Sequence, residues 1–82
     1  MIYTVSFKPK SLKDGRKIAK NDLESIFEKI DYMKTDLRGD VKKLTNFIPE
    51  YRLWIGNYRV LFEVENNEIV IYRIIHRKET YK

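Results

Sequence analysis

The chain of 82 residues contains no cysteine, which excludes a disulfide framework and any thiolate metal site. It has one histidine, so neither a histidine pair nor a histidine-rich metal site can form. Three glycines and two prolines are scattered along it. Gly39 stands alone, and there is no Gly-rich phosphate loop. No apolar run approaches the roughly 18 residues that suggest a membrane span. The start is strand-like, with no charged n-region leading into an apolar h-region, so no signal peptide is expected. Repeats, low-complexity tracts and linkers are missing. These absences fit a single domain over residues 1–82 in a reducing cytosol, with no membrane, metal or cofactor called for.

What is present suits a small folded domain. Apolar residues make up 43% of the chain, enough for a globular core and too many for disorder. Seventeen Lys and Arg against 12 Asp and Glu leave a net charge of +5. That surplus favours acidic partners, whether nucleic acid, an anionic surface or an acidic protein.

Periodicity divides the chain into elements. Met1 to Phe7 alternates like an amphipathic strand and stops at Pro9. Ser11 or Asp14 can cap a short helix over about Leu12–Lys20, which Gly15 weakens. A second helix has Asn21 as its cap and Glu24 at capping-box spacing. Leu23, Ile26, Phe27, Ile30 and Met33 mark its apolar face. Residues 36–49 read as a loop anchored by Leu37, Val41, Leu44 and Phe47. Three strands follow, about Tyr51–Ile55, Tyr58–Glu65 and Glu68–Ile75, joined by tight turns at Gly56-Asn57 and Asn66-Asn67. The expected fold is α+β, in the order β-α-α-β-β-β: a small antiparallel sheet with a helical hairpin packed on one face.

Strand parity then places the charges. Tyr58, Val60, Phe62 and Val64 form a core face with Tyr51, Leu53 and Ile55. Arg52, Trp54 and Arg59 take the other face. Parity adds Arg73 to it, together with Ile69, Ile71 and Ile75, and an extended path adds Arg77 and Tyr81. Arginine suits phosphate because its planar fork makes paired, charge-assisted hydrogen bonds. Trp54 or Tyr81 offers a ring on which a nucleobase can stack. The same pattern also suits arginines that solvate a sheet face and pair with Glu63, Glu65 or Glu68. His76 has the opposite parity, which favours packing or hydrogen bonding over proton transfer. It stays among the RNA-contact candidates. Asp36 and Asp40 have no metal-ligand spacing.

Four short stretches, in order and at this spacing, resemble the RelE/ParE superfamily: Asp40-Val41-Lys42-Lys43-Leu44, Tyr51-Arg52-Leu53, Gly56-Asn57-Tyr58-Arg59-Val60, and His76-Arg77-Lys78 with Tyr81. The resemblance implies a RelE-like microbial ribonuclease fold and the toxin of a type II toxin–antitoxin system. For RelE-type members it implies ribosome-dependent, metal-independent cleavage of mRNA. There the 2′-hydroxyl attacks the adjacent phosphate, leaving a 2′,3′-cyclic phosphate and a 5′-hydroxyl. Carried over by position, Arg52 and Arg59 hold the phosphate and Arg77 stabilises or protonates the leaving group. Tyr81 stacks on the base or helps deprotonate the attacking hydroxyl. Lys78 shares the tail role, and Trp54, Arg73 and His76 complete the RNA contacts. Trp54 stands where some members have a second lysine, which removes one charge near the phosphate. The implied partners are a cognate antitoxin, the ribosome and mRNA, with a toxin–antitoxin hetero-oligomer as the resting form. Two alternatives remain: a ParE-like toxin that inhibits DNA gyrase by binding, or a weakened toxin acting as co-repressor with its antitoxin.

Overall fold

The computed structural model describes residues 1–79. Five strands and two helices follow in the order β1 (Thr4–Phe7), α1 (Pro9–Arg16), α2 (Lys20–Met33), β2 (Val41–Lys43), β3 (Tyr51–Ile55), β4 (Tyr58–Glu65) and β5 (Glu68–His76), with a 3₁₀ turn at Arg77–Glu79. They form one sheet in the order β1-β5-β4-β3-β2. β2 to β5 run antiparallel to their neighbours, as a meander requires. β1 adds to β5 in parallel, so the sheet is mixed. A parallel pair needs a long crossover, and here the whole meander and both helices supply it.

The three C-terminal strands lie where their alternation places them, and β5 runs one residue further, to His76. Their turns use the expected positive φ, +53° at Gly56 and +57° at Asn66. Both values are cheap for glycine and tolerated by asparagine. The expected loop over residues 36–49 contains β2. Leu37, Val41 and Leu44 are partly buried there. Phe47 is not the anchor expected, since it is 55% exposed. Pro49, after a cis peptide bond, is the buried residue of that bend.

The helices start earlier than expected. Pro9 opens α1, because its fixed φ suits a first turn whose N–H has no partner in any case. The Ser11 hydroxyl donates to the Lys8 carbonyl at 2.7 Å and is not a cap. Asp14 lies inside the helix and faces β5. α2 begins at Lys20 with Ala19 at the cap position and no side-chain capping bond, so the Asn21–Glu24 box does not form.

α2 buries Ile26, Ile30 and Met33 against Leu53, Val60, Phe62, Ile69, Ile71 and Ile74. Each such side chain contributes about 1.5–3 kcal/mol on leaving water. Leu23 is only partly buried, and Phe27 is exposed on one side with its edge against Phe7 at 5.9 Å.

A bulge corrects the parity of β5. Leu61 pairs with Arg73 and Phe62 with Ile71, so Tyr72 has no partner across the ladder. One unpaired residue inverts the alternation. Ile69 and Ile71 therefore share the core face with Val64 and Phe62, and do not lie beside Arg73 as a continuous alternation would have it.

Candidate functional site

The helical hairpin covers one sheet face and leaves the other open. Register places Lys42, Arg52, Trp54, Arg59, Leu61 and Glu63 on that open face. Lys42 pairs with Arg52, Arg52 with Leu61, and Trp54 with Arg59. Two adjacent strands, β3 and β4, thus put the predicted Arg52, Trp54 and Arg59 on one face.

Arg59 is the centre of the group. Its Nη1 donates to the carbonyls of Gly56 at 2.9 Å and Tyr58 at 2.8 Å. Both acceptors belong to the tight turn that Gly56 makes possible. The guanidinium carbon lies 4.3 Å from the centroid of the Trp54 ring. Such a contact adds about 1–2 kcal/mol when it is shielded from water. Arg59 is only 8% exposed, whereas Trp54 is 39% exposed. The Lys42 ammonium approaches the same ring from the other neighbouring strand, at 5.7 Å, and lies 3.6 Å from the Asp40 carboxylate.

Arg52 is held in the same way. Its Nη1 donates to the carbonyls of Pro49 at 2.5 Å and Tyr51 at 3.1 Å. Burial draws this guanidinium below its ordinary pKa, and the nearby Glu63 carboxylate pulls it back. It remains charged at neutral pH. Glu63 accepts the backbone N–H of Glu50 at 3.1 Å, which fixes a carboxylate near Arg52. A guanidinium has five N–H donors. The carbonyl bonds found among the described residues use Nη1 in both arginines, so Nε and Nη2 are the donors left for an anion.

Arg73 does not join this group. Its Nε and Nη2 donate to the two oxygens of Asp14 at 2.7 and 2.9 Å, and the Ile74 backbone N–H donates to the same carboxylate at 3.0 Å. The reason lies in the topology. β1 pairs with β5 only as far as Ile71, and Asp14 of α1 satisfies the strand edge beyond it. Burial raises the Asp14 pKa. The Arg73 and Ile74 hydrogen bonds and the charges of Arg73 and Lys17 outweigh that, and the carboxyl lies below its ordinary value. The Arg73 guanidinium is raised, chiefly by the Asp14 hydrogen bonds. Arg73 is thus tied to α1 and does not join Arg52, Trp54 and Arg59, the group in which strand parity had placed it.

His76 pairs with Tyr58 on the helix side of the sheet and meets its ring edge-on at 5.5 Å. Its Nδ1 accepts the Lys78 backbone N–H at 3.2 Å. This is the packing role its parity suggests, and it removes His76 from the arginine face. Arg77 and Lys78 are exposed in the 3₁₀ turn. The Arg77 backbone N–H donates to the Asn57 carbonyl at 2.7 Å. The tail is thereby tied to the turn that clamps Arg59. Tyr81 lies outside the described residues.

Lys42 was absent from the sequence-derived site because a strand of three residues leaves too short an alternation to read. Glu63 was legible only as a possible charge partner. Among the described residues, no group of three or more His, Asp or Glu side chains is arranged to hold a metal ion.

A helical hairpin on a five-stranded mixed sheet, with a basic open face, defines a class: the RelE-like α+β toxin fold. The structure is similar to a chain of the RelB–RelE antitoxin–toxin complex of Methanococcus jannaschii, with a TM-score of 0.76 and 28% identity, covering 92% of this chain and 93% of that one. It also matches a chain of the RelBE2 toxin–antitoxin complex of Mycobacterium tuberculosis, with a TM-score of 0.82 and 23% identity over 94% of this chain and all of that one; this likeness speaks to the fold alone. The sequence model of the ParE toxin of type II toxin–antitoxin systems matches residues 5–81. The chain belongs to that toxin family, within the RelE/ParE superfamily. Toxin RelE3 of Methanocaldococcus jannaschii is 41% identical over 46 residues, a stretch that spans 56% of this chain and about half (52%) of that relative.

Proposed function

We propose that this toxin is a metal-independent endoribonuclease that cuts mRNA on the ribosome and so blocks translation in the cytoplasm. The observation that carries this reading is two arginines on one sheet face, Arg52 and Arg59, each held by main-chain carbonyls, with the exposed Trp54 indole against Arg59. Cleavage by the neighbouring 2′-hydroxyl needs positive charge where the phosphorane forms, and donors fixed in advance cost no reorganisation at that moment. Arg59 clamps the phosphate through Nε and Nη2, with Arg52 as the second clamp. Trp54 takes a base. Glu63, the fixed carboxylate on this face, and Tyr81 are the candidates to receive the 2′-hydroxyl proton. Arg77 and Lys78 serve the leaving 5′-oxygen.

The partner in this reading is a protein antitoxin. It is supported by the toxin–antitoxin complexes among the similar structures and by an apolar cleft between the helices. The cleft is lined by Phe7, Leu12, Leu23, Phe27 and Ile74, with Leu12 and Phe27 about half exposed.

A primer-extension map of a translated mRNA, with and without ribosomes, tests the reading. Cuts in codon register that require ribosomes are expected. Cuts on naked RNA would make the chain a free ribonuclease. A second reading, a toxin that binds DNA gyrase and cleaves nothing, is favoured by one observation: the carbonyl clamps and the indole leave Arg59 mostly covered. Intact mRNA together with gyrase-dependent DNA damage would select it.

A further inference from the structure

The net charge of this chain has a single location. Residues 8–20 contain six of the 17 Lys and Arg (Lys8, Lys10, Lys13, Arg16, Lys17 and Lys20) and one of the 12 Asp and Glu. Outside that segment eleven cations balance eleven carboxylates, so the whole surplus of +5 belongs to α1 and its flanks. The one acid there, Asp14, is turned toward β5 and bonded to Arg73. All six cations are exposed. Among the described residues none of the six makes an ion pair, and Lys8 alone meets a ring, Tyr72 at 5.3 Å.

Helix geometry gathers these charges. Ser11 and Gly15 are the buried positions of α1. At 3.6 residues per turn, Lys10, Lys13, Arg16 and the following Lys17 then spread over the side turned away from the sheet. The helix is roughly 12 Å long and packs against β5, on the sheet face opposite Trp54 and Arg59. It is therefore a second basic surface, separate from the candidate site.

We infer that the outer face of α1 is a docking site for the sugar–phosphate backbone of double-stranded RNA. Resting on the ribosome-directed reading above, it would hold the toxin on structured RNA while the sheet face meets the single strand. A cation face without rings suits a duplex backbone, where phosphate contacts position the protein without reading sequence. Residues 8–20 contain no aromatic side chain of the kind on which single strands stack. Leu12, half exposed, is the one large apolar side chain this segment puts on the surface, too little for a membrane edge. Leu12 lines the cleft with Phe27, and Ile18 is partly buried.

The test is fluorescence anisotropy on an RNA duplex of about 16 base pairs, using the wild-type chain and the quadruple variant Lys10→Gln, Lys13→Gln, Arg16→Gln, Lys17→Gln. Circular dichroism checks that the variant is folded. In 0.1 M salt the variant should bind roughly tenfold or more weakly, and the slope of log affinity against log salt should flatten by roughly 3. Exchanging Lys10, Lys13 and Lys17 for Arg should preserve binding. Unchanged affinity and slope in the folded quadruple variant would overturn the inference. So would equal affinity for a DNA duplex of the same sequence, or tighter binding of a polyglutamate chain. Wild-type protein that binds the duplex through α1 yet leaves translated mRNA uncut would refute cleavage and leave the docking site standing.

Discussion

The two basic surfaces of this toxin are built in opposite ways. On the open sheet face, Arg52 and Arg59 are partly or wholly buried, held by main-chain carbonyls, and bordered by Glu63 and Trp54. On α1 and its flanks the cations are exposed and, among the described residues, make no ion pair. The first arrangement spends hydrogen bonds on fixing a guanidinium in one place, which suits stabilising charge at a reacting atom. The second raises the local concentration of a polyanion and steers its approach, which needs number and exposure more than geometry. Net charge therefore says little about where a reaction occurs. The sheet face holds a few cations in fixed positions, while the surplus lies on α1 and its flanks.

The largest expected effect falls on the fixed surface. Arg59→Ala removes the clamped cation and uncovers the Trp54 ring. Cleavage should fall by about a hundredfold or more, comparable to the loss of one donor from a pre-set anion hole. The loss of two carbonyl bonds should also cost about 1–2 kcal/mol in urea denaturation. Arg59→Lys keeps the charge but not the fork, so its activity should lie between the two. Wild-type cleavage rates in Arg59→Ala would remove the sheet face from the mechanism and move attention to the tail.

Arg73 sharpens the comparison, because it is the arginine that serves the fold. Its partner Asp14 is 11% exposed, and Arg73 itself 32%. Asp14→Ala should cost about 2 kcal/mol, between the values for exposed and buried pairs, and should leave duplex and phosphate contacts in place. The pH dependence has a definite sign. The folded-state pKa of Asp14 is depressed, so its contribution is fully present above the unfolded value near 3.9 and is lost as pH falls through the folded one. Urea midpoints at pH 7 and pH 5 should differ between wild type and variant by the same amount. The gap should close below about pH 4. A gap that persists at pH 2 would mean that α1 packing, and not the ion pair, is what the substitution disturbs.

The sequence made some of this visible. β3, β4 and β5 were legible because their alternation runs for five to nine residues between turns with Gly56 and Asn66. The shared face of Arg52, Trp54 and Arg59 followed from that alternation. Three features had no local signal. β2 has three residues, less than two periods of alternation. The bulge at Tyr72 is a tertiary compromise where β1 ends and α1 takes over the strand edge. The Asp14–Arg73 pair joins residues 59 apart, and nothing in either segment announces the other. The burial of Arg59 was equally hidden, since it depends on carbonyls of a turn whose type was legible but whose direction was not.

The smallest expected effect concerns Trp54, and it separates two roles of the indole. If the ring chiefly covers Arg59, Trp54→Phe should change little. Phenylalanine keeps an aromatic face, its cation–π attraction is weaker than that of tryptophan, and the Gly56 and Tyr58 carbonyls still hold the guanidinium. The loss in stability should stay below about 1 kcal/mol, and cleavage should stay within about threefold of wild type. If the ring is instead a platform for a base, its larger face and 39% exposure matter directly, and Trp54→Phe should weaken substrate binding while the maximal rate holds. Trp54 is the only tryptophan in the chain, so its fluorescence reports the contact without a label. Quenching by a short single-stranded RNA, but not by inorganic polyphosphate, would show a base on the ring. Equal responses to both would show a phosphate moving Arg59 beneath it.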